Sequence, residues 1–209
     1  MSSTARVAIV DYDAGNLGSV RRACAEVGIN GVITADPKEV LSADKVIFPG
    51  VGSAESAVDT LHQTGLFEAL LEFYASGKPF LGICLGSQIL LEHTEEGDKD
   101  CLGIVPGCCE RFDYVDKQFK VPHIGWNEIE IQKPHPMLRN IEDGDEFYFV
   151  HSYYTRPKEA HIVAMTEYGH RFCSVISRDN LFATQFHLEK SGKKGLAILD
   201  AFRDWDATC

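Results

Sequence analysis

The sequence predicts an α/β fold: a doubly wound, mostly parallel sheet flanked by helices, with an antiparallel section added in the second half. In the first half, short apolar runs alternate with helical periodicity, which is typical of buried parallel strands and their crossover helices. In the second half, the runs alternate in polarity or are rich in aromatic residues, which favours antiparallel strands. No linker or internal repeat interrupts either half, so we expect residues 1–209 to form a single domain.

Four buried strands are expected in the first half, at residues 6–12, 32–34, 45–48 and 80–83. Asn16 is a candidate cap for a helix that follows the first strand and that Gly28 ends. Helical periodicity also covers residues 54–74, with Gly65 as a candidate break. A further helix is expected over residues 87–91, immediately after the fourth strand.

The second half contains strand candidates at residues 128–131, 146–150, 161–165, 172–176 and 181–186. The segment 178–180, Arg-Asp-Asn, has the composition of a hairpin turn between the last two of them. Residues 191–205 are expected to form a closing helix. The antiparallel section is therefore predicted to lie between the parallel strands and this last helix.

Composition excludes several classes of function. The formal net charge of −11 argues against a general role on nucleic acid or on acidic membranes. Seven cysteines without a repeated C-x-x-C spacing argue against a disulfide scaffold, so a reducing cytoplasm is the expected location. No run approaches the ~18 apolar residues that a membrane-spanning helix needs. The histidines include no H-E-x-x-H pattern, and neither a metal site nor a cofactor is expected.

Cys84 is the expected catalytic nucleophile. It is the centre of a Gly-Ile-Cys-Leu-Gly segment at 82–86, where a buried strand turns directly into a helix. Such a turn forces strained backbone angles on its central residue and presents the side chain at the carboxyl end of the sheet. The adjacent helix N-terminus favours the thiolate over the thiol. An arbitrary cysteine is more often a small buried apolar residue, but here the two glycines and the strand-to-helix switch favour a nucleophile.

His187 and Glu189 are the expected general base and the group that orients it. Both lie in the segment 185–191, Gln-Phe-His-Leu-Glu-Lys-Ser, at the end of a predicted strand. In an extended chain, residues two positions apart project to the same side, so Glu189 can bind one imidazole nitrogen while the other faces Cys84. An exposed strand end explains this segment equally well on its own, and its combination with Cys84 favours a catalytic triad.

The segment 49–53, Pro-Gly-Val-Gly-Ser, is a candidate oxyanion segment at the end of another strand. Its glycines allow backbone N–H groups to approach a developing oxyanion, and the N–H group that follows the nucleophile is a further donor. The predicted oxyanion residues are therefore Gly50, Val51, Gly52 and Leu85. An ordinary glycine-rich connection is the competing explanation, and the spacing excludes a phosphate-binding loop.

Three segments together, at 49–52, 82–88 and 185–191, resemble the class I (triad) glutamine amidotransferases over nearly the full chain. The resemblance implies that glutamine is hydrolysed to glutamate and ammonia through a thioester on Cys84. Segments at 10–20, 122–127 and 148–153 sharpen it to glutaminase subunits that supply ammonia to a separate cyclase subunit with a (β/α)8-barrel fold. A heterodimer is the implied assembly.

The resemblance also implies roles for residues outside the triad. The residues that would bind glutamine are Gln88, Glu96, Ser152 and Tyr153. The residues that would lie at or near the interface with the cyclase subunit are Asn16, Trp126, Tyr148 and Lys190. Without the resemblance, Trp126 and Tyr148 are interpreted as core aromatics, and the sequence alone favours that interpretation for Trp126.

One residue departs from the family pattern. Relatives usually carry proline between the triad histidine and glutamate, where this chain has Leu188. Proline would fix the local φ angle, so leucine is expected to loosen the geometry between His187 and Glu189 without preventing it.

Three alternatives stay open from the sequence. The chain could be a glutaminase for a different synthase, such as the one that makes pyridoxal phosphate. It could be a stand-alone cysteine hydrolase or peptidase on the same type of turn. It could also be a non-catalytic binding subunit, for which Leu188 is the only indication. The intact set of Cys84, His187 and Glu189 favours an active glutaminase.

The glycine content of residues 49–52 also leads to a hypothesis about control. A peptide flip that aims or withdraws an oxyanion donor requires little free energy in such a segment. We therefore hypothesise that the isolated chain is nearly inactive until its partner aligns that donor.

Overall fold

The computed structural model describes residues 5–13, 15–114 and 118–208. The helices are α1 (Leu17–Glu26), α2 (Pro37–Ser42), α3 (Ala54–Thr64), α4 (Leu66–Ala75), α5 (Leu85–Ile89) and α6 (Gly192–Asp204). The strands are β1 (Val7–Val10), β2 (Gly31–Thr34), β3 (Lys45–Gly50), β4 (Phe80–Cys84), β5 (Leu91–Thr94), β6 (Lys99–Asp100), β7 (Val105–Arg111), β8 (His123–Glu128), β9 (Glu130–Ile131), β10 (Glu146–His151), β11 (Tyr153–Pro157), β12 (Ile162–Tyr168), β13 (His170–Arg178) and β14 (Leu181–Thr184). Within these ranges, no helix is long and apolar enough to cross a membrane.

The parallel part of the main sheet consists of β2, β1, β3, β4 and β14, in that spatial order. The predicted fold class, a doubly wound parallel sheet flanked by helices, is therefore confirmed. β14 comes last among these strands along the chain, yet it pairs with β4, with Thr184 opposite Ile83. Because parallel strands end at the same edge of a sheet, the residues that follow β14 lie beside those that follow β4.

Helices cover both faces of the parallel strands. In β3, Val46 and Phe48 pack in the core that α2, α3 and α4 cover, whereas Ile47 packs in the core that α1 and α6 cover. This alternation follows from the pleat, which points successive side chains to opposite faces. Since neither face meets water, every residue of β3 is buried, as the continuous apolar run in the sequence predicts.

The antiparallel section begins at β14. A tight turn joins β13 to β14, and the two strands pair antiparallel, which confirms the predicted hairpin. The sheet continues through β13, β11 and β7, and β12 and β9 extend it beside β13. β14 therefore belongs to both halves of the sheet and joins the parallel strands to the antiparallel ones.

β8 and β10 form a separate antiparallel sheet of two strands. Its inner face is apolar, since Phe147 stacks on Phe186 with ring centroids 4.1 Å apart. Phe149 meets Phe172 edge-on at a centroid distance of 5.9 Å. These buried rings attach the two-stranded sheet to the core that α1 and α6 cover.

The outer face of the same two-stranded sheet carries Ile124 and Trp126, which are 59% and 53% exposed. The prediction that Trp126 is a core aromatic is therefore wrong. Trp126 pairs with Tyr148, and strand alternation places both on the face opposite the buried phenylalanines. Tyr148 is half-buried beside Trp126 and does not belong to the core either.

Several local features differ from the sequence expectation. α2 was not expected, although Asp36 caps it by accepting a hydrogen bond from the N–H group of Lys38 at 2.8 Å. The helix expected over 87–91 is α5, which begins and ends two residues earlier, and the chain changes to β5 at Leu91 because the next residues pair with β7. β8 was also missed, since its inward positions include histidine, glycine and asparagine, which do not mark a strand.

Candidate active site

Cys84 is the last residue of β4 and immediately precedes α5. Its backbone angles are φ 55° and ψ −111°, a strained combination for a residue with a Cβ atom. The residue is 5% exposed. The sharp turn that the sequence predicts around the thiol is therefore present, with the strain at the residue expected to be the nucleophile.

The two glycines that flank Cys84 permit this turn. A Cβ atom on Gly82 would lie 2.9 Å from Cβ of Ala183 on the neighbouring strand β14. A Cβ atom on Gly86 would lie 1.8 Å from the carbonyl oxygen of Phe48. Because that oxygen is backbone, it cannot move aside as a flexible side chain can. Close packing of α5 against β3 therefore requires glycine at position 86.

His187 and Glu189 are in contact and buried. Nδ1 of His187 lies 2.7 Å from Oε1 of Glu189, and both side chains are 1% exposed. The premise of an extended chain is wrong, because Leu188–Lys190 forms a 3₁₀ turn. The turn still brings the imidazole and the carboxylate together. Leu188 is buried in the core, and the histidine–glutamate contact forms without proline at that position.

Three backbone contacts hold His187 in place. Its N–H group donates to the carbonyl oxygen of Tyr148 at 3.0 Å. The hydroxyl of Ser191 donates to the carbonyl oxygen of His187 and accepts from the N–H group of Tyr148 at 3.0 Å. Ser191 had no predicted role, because nothing in its spacing predicts a hydroxyl that joins these two backbones.

Asn16 extends the cluster by one residue. Its Nδ2 atom donates to Oε1 of Glu189 at 2.5 Å. The expectation that its side chain caps the first helix is wrong, since the side chain makes no capping hydrogen bond and its φ angle is 64°. That left-handed conformation, which asparagine tolerates, directs the amide to Glu189 instead.

The pKa of His187 is raised to about 10. Burial alone would lower the pKa, because it disfavours the charged imidazolium. The negative charge of a Cys84 thiolate and the contact with Glu189 oppose that effect and outweigh it. Nε2 of His187 is buried and makes no geometrically well-formed hydrogen bond with a described residue, although the side chain of Cys84 interacts with the ring and helps to raise its pKa. The raised pKa therefore keeps the buried imidazole of His187 protonated near pH 7.

A cavity of about 570 Å³ opens at Cys84. It is lined by all four residues expected to bind glutamine, together with neighbours from several loops: Gln88, Glu96, Ser152, Tyr153, Asn16, Val51, Gly52, Cys84, Leu85, Pro122, Val150, His151 and Lys190. Three of the four predicted oxyanion residues line it, and Gly50 does not. The structure thus brings most of the predicted site residues to one cavity.

Gly50 lies behind the cavity wall. A Cβ atom there would lie 1.9 Å from the hydroxyl oxygen of Tyr12. That buried hydroxyl donates to the carbonyl oxygen of Pro49 at 2.8 Å and so supports the end of β3. Gly52 has a φ angle of 109°, which glycine adopts readily. Tyr12 had no predicted role, since a tyrosine at a strand end usually serves only to pack against its neighbours.

Polar groups of the cavity wall are fixed by the protein itself. Oε2 of Glu96 accepts from the N–H group of Ala54 at 2.7 Å, at the first turn of α3. Nε2 of Gln88 donates to the carbonyl oxygen of Tyr153 at 2.9 Å and to Oε1 of Gln185 at 3.2 Å. Gln185 is buried beside Cys84, with Nε2 4.0 Å from Sγ, and it had no predicted role.

The residues expected at a partner interface occupy one surface. Tyr148 and Trp126 meet edge-on with ring centroids 6.2 Å apart. Nζ of Lys190 lies 5.6 Å from the centre of the Tyr148 ring, and Lys190 and Asn16 also line the cavity. This surface therefore runs from an exposed tryptophan to the mouth of the cavity. Its role as an interface stays a prediction.

No group of three or more metal-ligating side chains lies together in the described part of the chain. Cys84 brings a thiol to the cavity, and the imidazole of His187 and the carboxylate of Glu189 lie next to that thiol. Such a set suits nucleophilic acyl transfer.

The family model described as "Glutamine amidotransferase class-I" matches residues 8–204. The chain therefore belongs to the class-I glutamine amidotransferases.

Relatives narrow the comparison further. The chain is similar to the imidazole glycerol phosphate synthase subunit HisH of Desulfovibrio desulfuricans, with 49% identity over 204 residues, 95% of this chain and 94% of the relative. It is also similar to the subunit of the same name from Chromobacterium violaceum, with 46% identity over 209 residues, 96% of this chain and 98% of the relative.

Solved structures share the fold at low identity. A glutamine amidotransferase has a TM-score of 0.72 at 15% identity, covering 93% of this chain and 98% of that chain. The glutaminase domain of Trypanosoma brucei CTPS with bound acivicin has a TM-score of 0.68 at 19% identity, covering 97% of this chain and 95% of that chain.

Gly86→Ala should destabilise the protein by about 3 kcal/mol, because the new Cβ atom forces α5 away from β3. The free energy of unfolding in urea measures this loss. The matched control is Gly18→Ala in α1, where the nearest atom, Nη1 of Arg22, lies 3.6 Å from the new Cβ atom. Alanine there should leave stability unchanged or raise it by up to about 1 kcal/mol. An equal loss in both variants would contradict the steric explanation.

The pKa of His187 should fall in two variants that each remove an interaction raising it. Cys84→Ser removes the anionic partner, and Glu189→Gln replaces the carboxylate with a neutral amide. In each variant the pKa should move down from about 10 toward 6.5, its ordinary value. NMR titration of labelled imidazole nitrogens measures it. Burial lowers the pKa of His135 to about 4, and that value should not change. If the pKa of His187 stayed near 10 in both variants, neither Cys84 nor Glu189 would be the cause of its raised value.

Proposed function

We propose that this chain is the glutamine amidotransferase subunit of imidazole glycerol phosphate synthase and acts in histidine biosynthesis. One observation carries the proposal: Cys84 lines a cavity and interacts with the buried pair of His187 and Glu189, in a chain nearly half identical, over almost its full length, to subunits with that name. The segments at 10–20, 122–127 and 148–153 resemble the same subunits. We further propose that the chain acts as a single domain in the cytoplasm.

Cys84 acts as the nucleophile on glutamine bound in the cavity. Its sulfur attacks the side-chain carbonyl carbon, and the carbonyl oxygen becomes an oxyanion. The N–H group of Leu85 and the segment of Val51 and Gly52 supply donors for that oxyanion, since all three residues line the cavity. Gln88, Glu96, Ser152 and Tyr153 hold the rest of the substrate.

His187 moves the protons. As the C–N bond breaks, the imidazolium gives its proton to the leaving nitrogen, which departs as ammonia and leaves a γ-glutamyl thioester on Cys84. The neutral imidazole then takes a proton from water as the water oxygen attacks the thioester carbon. The C–S bond breaks, glutamate leaves, and Cys84 and His187 return to the protonation states in which they began. Glu189 orients the imidazole throughout and stabilises its positive charge.

The partner is a cyclase subunit with a (β/α)8-barrel fold, bound as a heterodimer. It docks on the surface formed by Asn16, Trp126, Tyr148 and Lys190, which includes the exposed tryptophan. Ammonia passes from the cavity to the cyclase and reacts with its phosphoribosyl-formimino carboxamide substrate. The cyclase then yields imidazole glycerol phosphate and an aminoimidazole carboxamide ribonucleotide.

The partner also controls the rate of glutamine hydrolysis. Val51 and Gly52 lie at the cavity wall, and the positive φ angle of Gly52 allows its peptide group to reorient at little cost. In the isolated chain, a misaligned oxyanion donor keeps hydrolysis slow. Equal glutaminase turnover with and without the loaded cyclase subunit would exclude this part of the proposal.

Cys84→Ser should abolish glutamine-dependent synthesis by the reconstituted complex and leave ammonia-dependent synthesis nearly unchanged. The reason is that free ammonia bypasses the thioester but still needs the cyclase. Both rates are measured with the cyclase subunit and its nucleotide substrate. The expected loss is at least about a thousandfold, as for removal of other catalytic nucleophiles.

Cys108→Ser is the matched control, because Cys108 is a partly exposed cysteine on β7 outside the cavity. It should keep both rates. Loss of ammonia-dependent synthesis in Cys84→Ser would indicate a structural role for Cys84. Activity of the complex only with a different synthase subunit would overturn the choice of partner.

A further inference from the structure

Two buried histidines outside the catalytic cluster face each other across the two-stranded sheet. His123 of β8 lies opposite His151 of β10, and they are 3% and 6% exposed. Nδ1 of His123 is 3.0 Å from Nε2 of His151. His151 also lines the cavity at Cys84. The pair therefore connects the interior of this sheet to the wall of the candidate active site.

The carbonyl oxygen of Tyr153 determines the direction of the hydrogen bonds. That oxygen can only accept, and it lies 2.7 Å from Nδ1 of His151, so Nδ1 carries the proton. Burial lowers the pKa of His151 to about 3, so the ring is neutral near pH 7. Nε2 of His151 therefore carries no proton and must accept.

His123 supplies the proton that His151 accepts. Burial lowers the pKa of His123 to about 4, so this ring is neutral too, with Nδ1 as donor and Nε2 as acceptor. Nδ2 of Asn127 lies 3.3 Å from that acceptor and also donates to the carbonyl oxygen of Glu167 at 2.9 Å. The N–H group of Glu128 donates to Oδ1 of Asn127, which fixes the orientation of the amide. The hydrogen bonds thus run one way, from Asn127 to Tyr153.

The chain of hydrogen bonds ends on the residue that orients Gln88. The carbonyl oxygen of Tyr153 accepts from both His151 and Nε2 of Gln88. The second hydrogen on Nε2 of Gln88 goes to Oε1 of Gln185. With both N–H groups engaged, the amide of Gln88 has only its oxygen, an acceptor, to offer a molecule in the cavity.

We propose that His123 and His151 are positioning residues that hold the Tyr153 carbonyl, and through it the Gln88 amide, with the amide oxygen available to the substrate. An acceptor at that place binds an N–H group of the substrate and disfavours a carboxylate. This inference rests on the proposed glutamine hydrolysis and adds a determinant of binding and of selectivity for glutamine over glutamate.

Two substitutions of His123 separate the hydrogen bond from the packing. His123 stacks on Tyr168 with centroids 4.0 Å apart and on Phe149 at 5.0 Å. His123→Phe keeps a ring for this packing but cannot donate to His151. His123→Asn loses the ring, yet its amide N–H group can donate from near the position of Nδ1.

The proposal predicts that His123→Phe is the more stable of the two variants and that His123→Asn is the one that binds glutamine more tightly. In the complex with the cyclase subunit, His123→Phe should raise the KM for glutamine about tenfold with kcat within about twofold, because a hydrogen bond that positions a binding group is lost. It should also lower the selectivity for glutamine over glutamate, measured as the inhibition constant of glutamate divided by the KM for glutamine. His123→Asn should have a KM within about threefold of the unsubstituted chain although it unfolds at lower urea concentration. A KM that follows stability would overturn the proposal.

A second readout does not depend on activity. NMR of the chain with labelled histidine nitrogens should show both His123 and His151 as neutral rings with the proton on Nδ1, and a proton on Nε2 of either ring would overturn the proposal. His135→Asn removes another buried histidine, outside the cavity, and should lower stability without changing KM. If the unsubstituted complex hydrolyses no glutamine, the proposed function fails while the protonation pattern still tests the hydrogen-bond chain.

Discussion

The parallel pairing of β4 with β14 is the interaction on which the candidate active site depends. It places the segment that carries His187 beside the turn that carries Cys84, although the two are far apart in the sequence. The pairing must also keep its register, since a slip by one residue would turn every side chain of the strand to the other face. β14 is held on its second edge by β13, so the antiparallel section stabilises the same register. The two halves of the fold thus share one strand at the site.

The site must also stabilise the positive charge of the His187 imidazolium in the protein interior. An imidazolium that is almost fully covered is unfavourable unless opposite charge and hydrogen bonds surround it. Here Glu189 supplies the charge on one side of the ring and Cys84 on the other, and Asn16 fixes the carboxylate. Tyr148 and Ser191 hold the backbone of His187. Tyr148 also belongs to the two-stranded sheet of β8 and β10. Its ring meets Trp126, and its backbone holds His187.

The sequence predicts those features that produce local patterns. Uniformly apolar runs identify the buried strands, and the Gly-x-Cys-x-Gly segment identifies the turn, because only glycine fits where Gly82 and Gly86 pack. Contacts that depend on tertiary placement leave no such pattern. The hydrogen bond from Asn16 to Glu189 joins opposite ends of the chain, and the exposure of Trp126 depends on which face of β8 is covered. Alternation in sequence predicts an extended segment after His187, whereas the chain forms a 3₁₀ turn there.

The cover over the reactive thiol has a consequence for covalent labelling. Burial raises the pKa of the other described cysteines and so disfavours the nucleophilic thiolate in each of them: Cys24, Cys101, Cys108, Cys109 and Cys173. Cys84 differs in having an imidazolium as neighbour and in lining a cavity of about 570 Å³. That cavity has room for a compact electrophile with the shape of an amino acid. The chain is therefore a target for selective chemical probes at one cysteine among several.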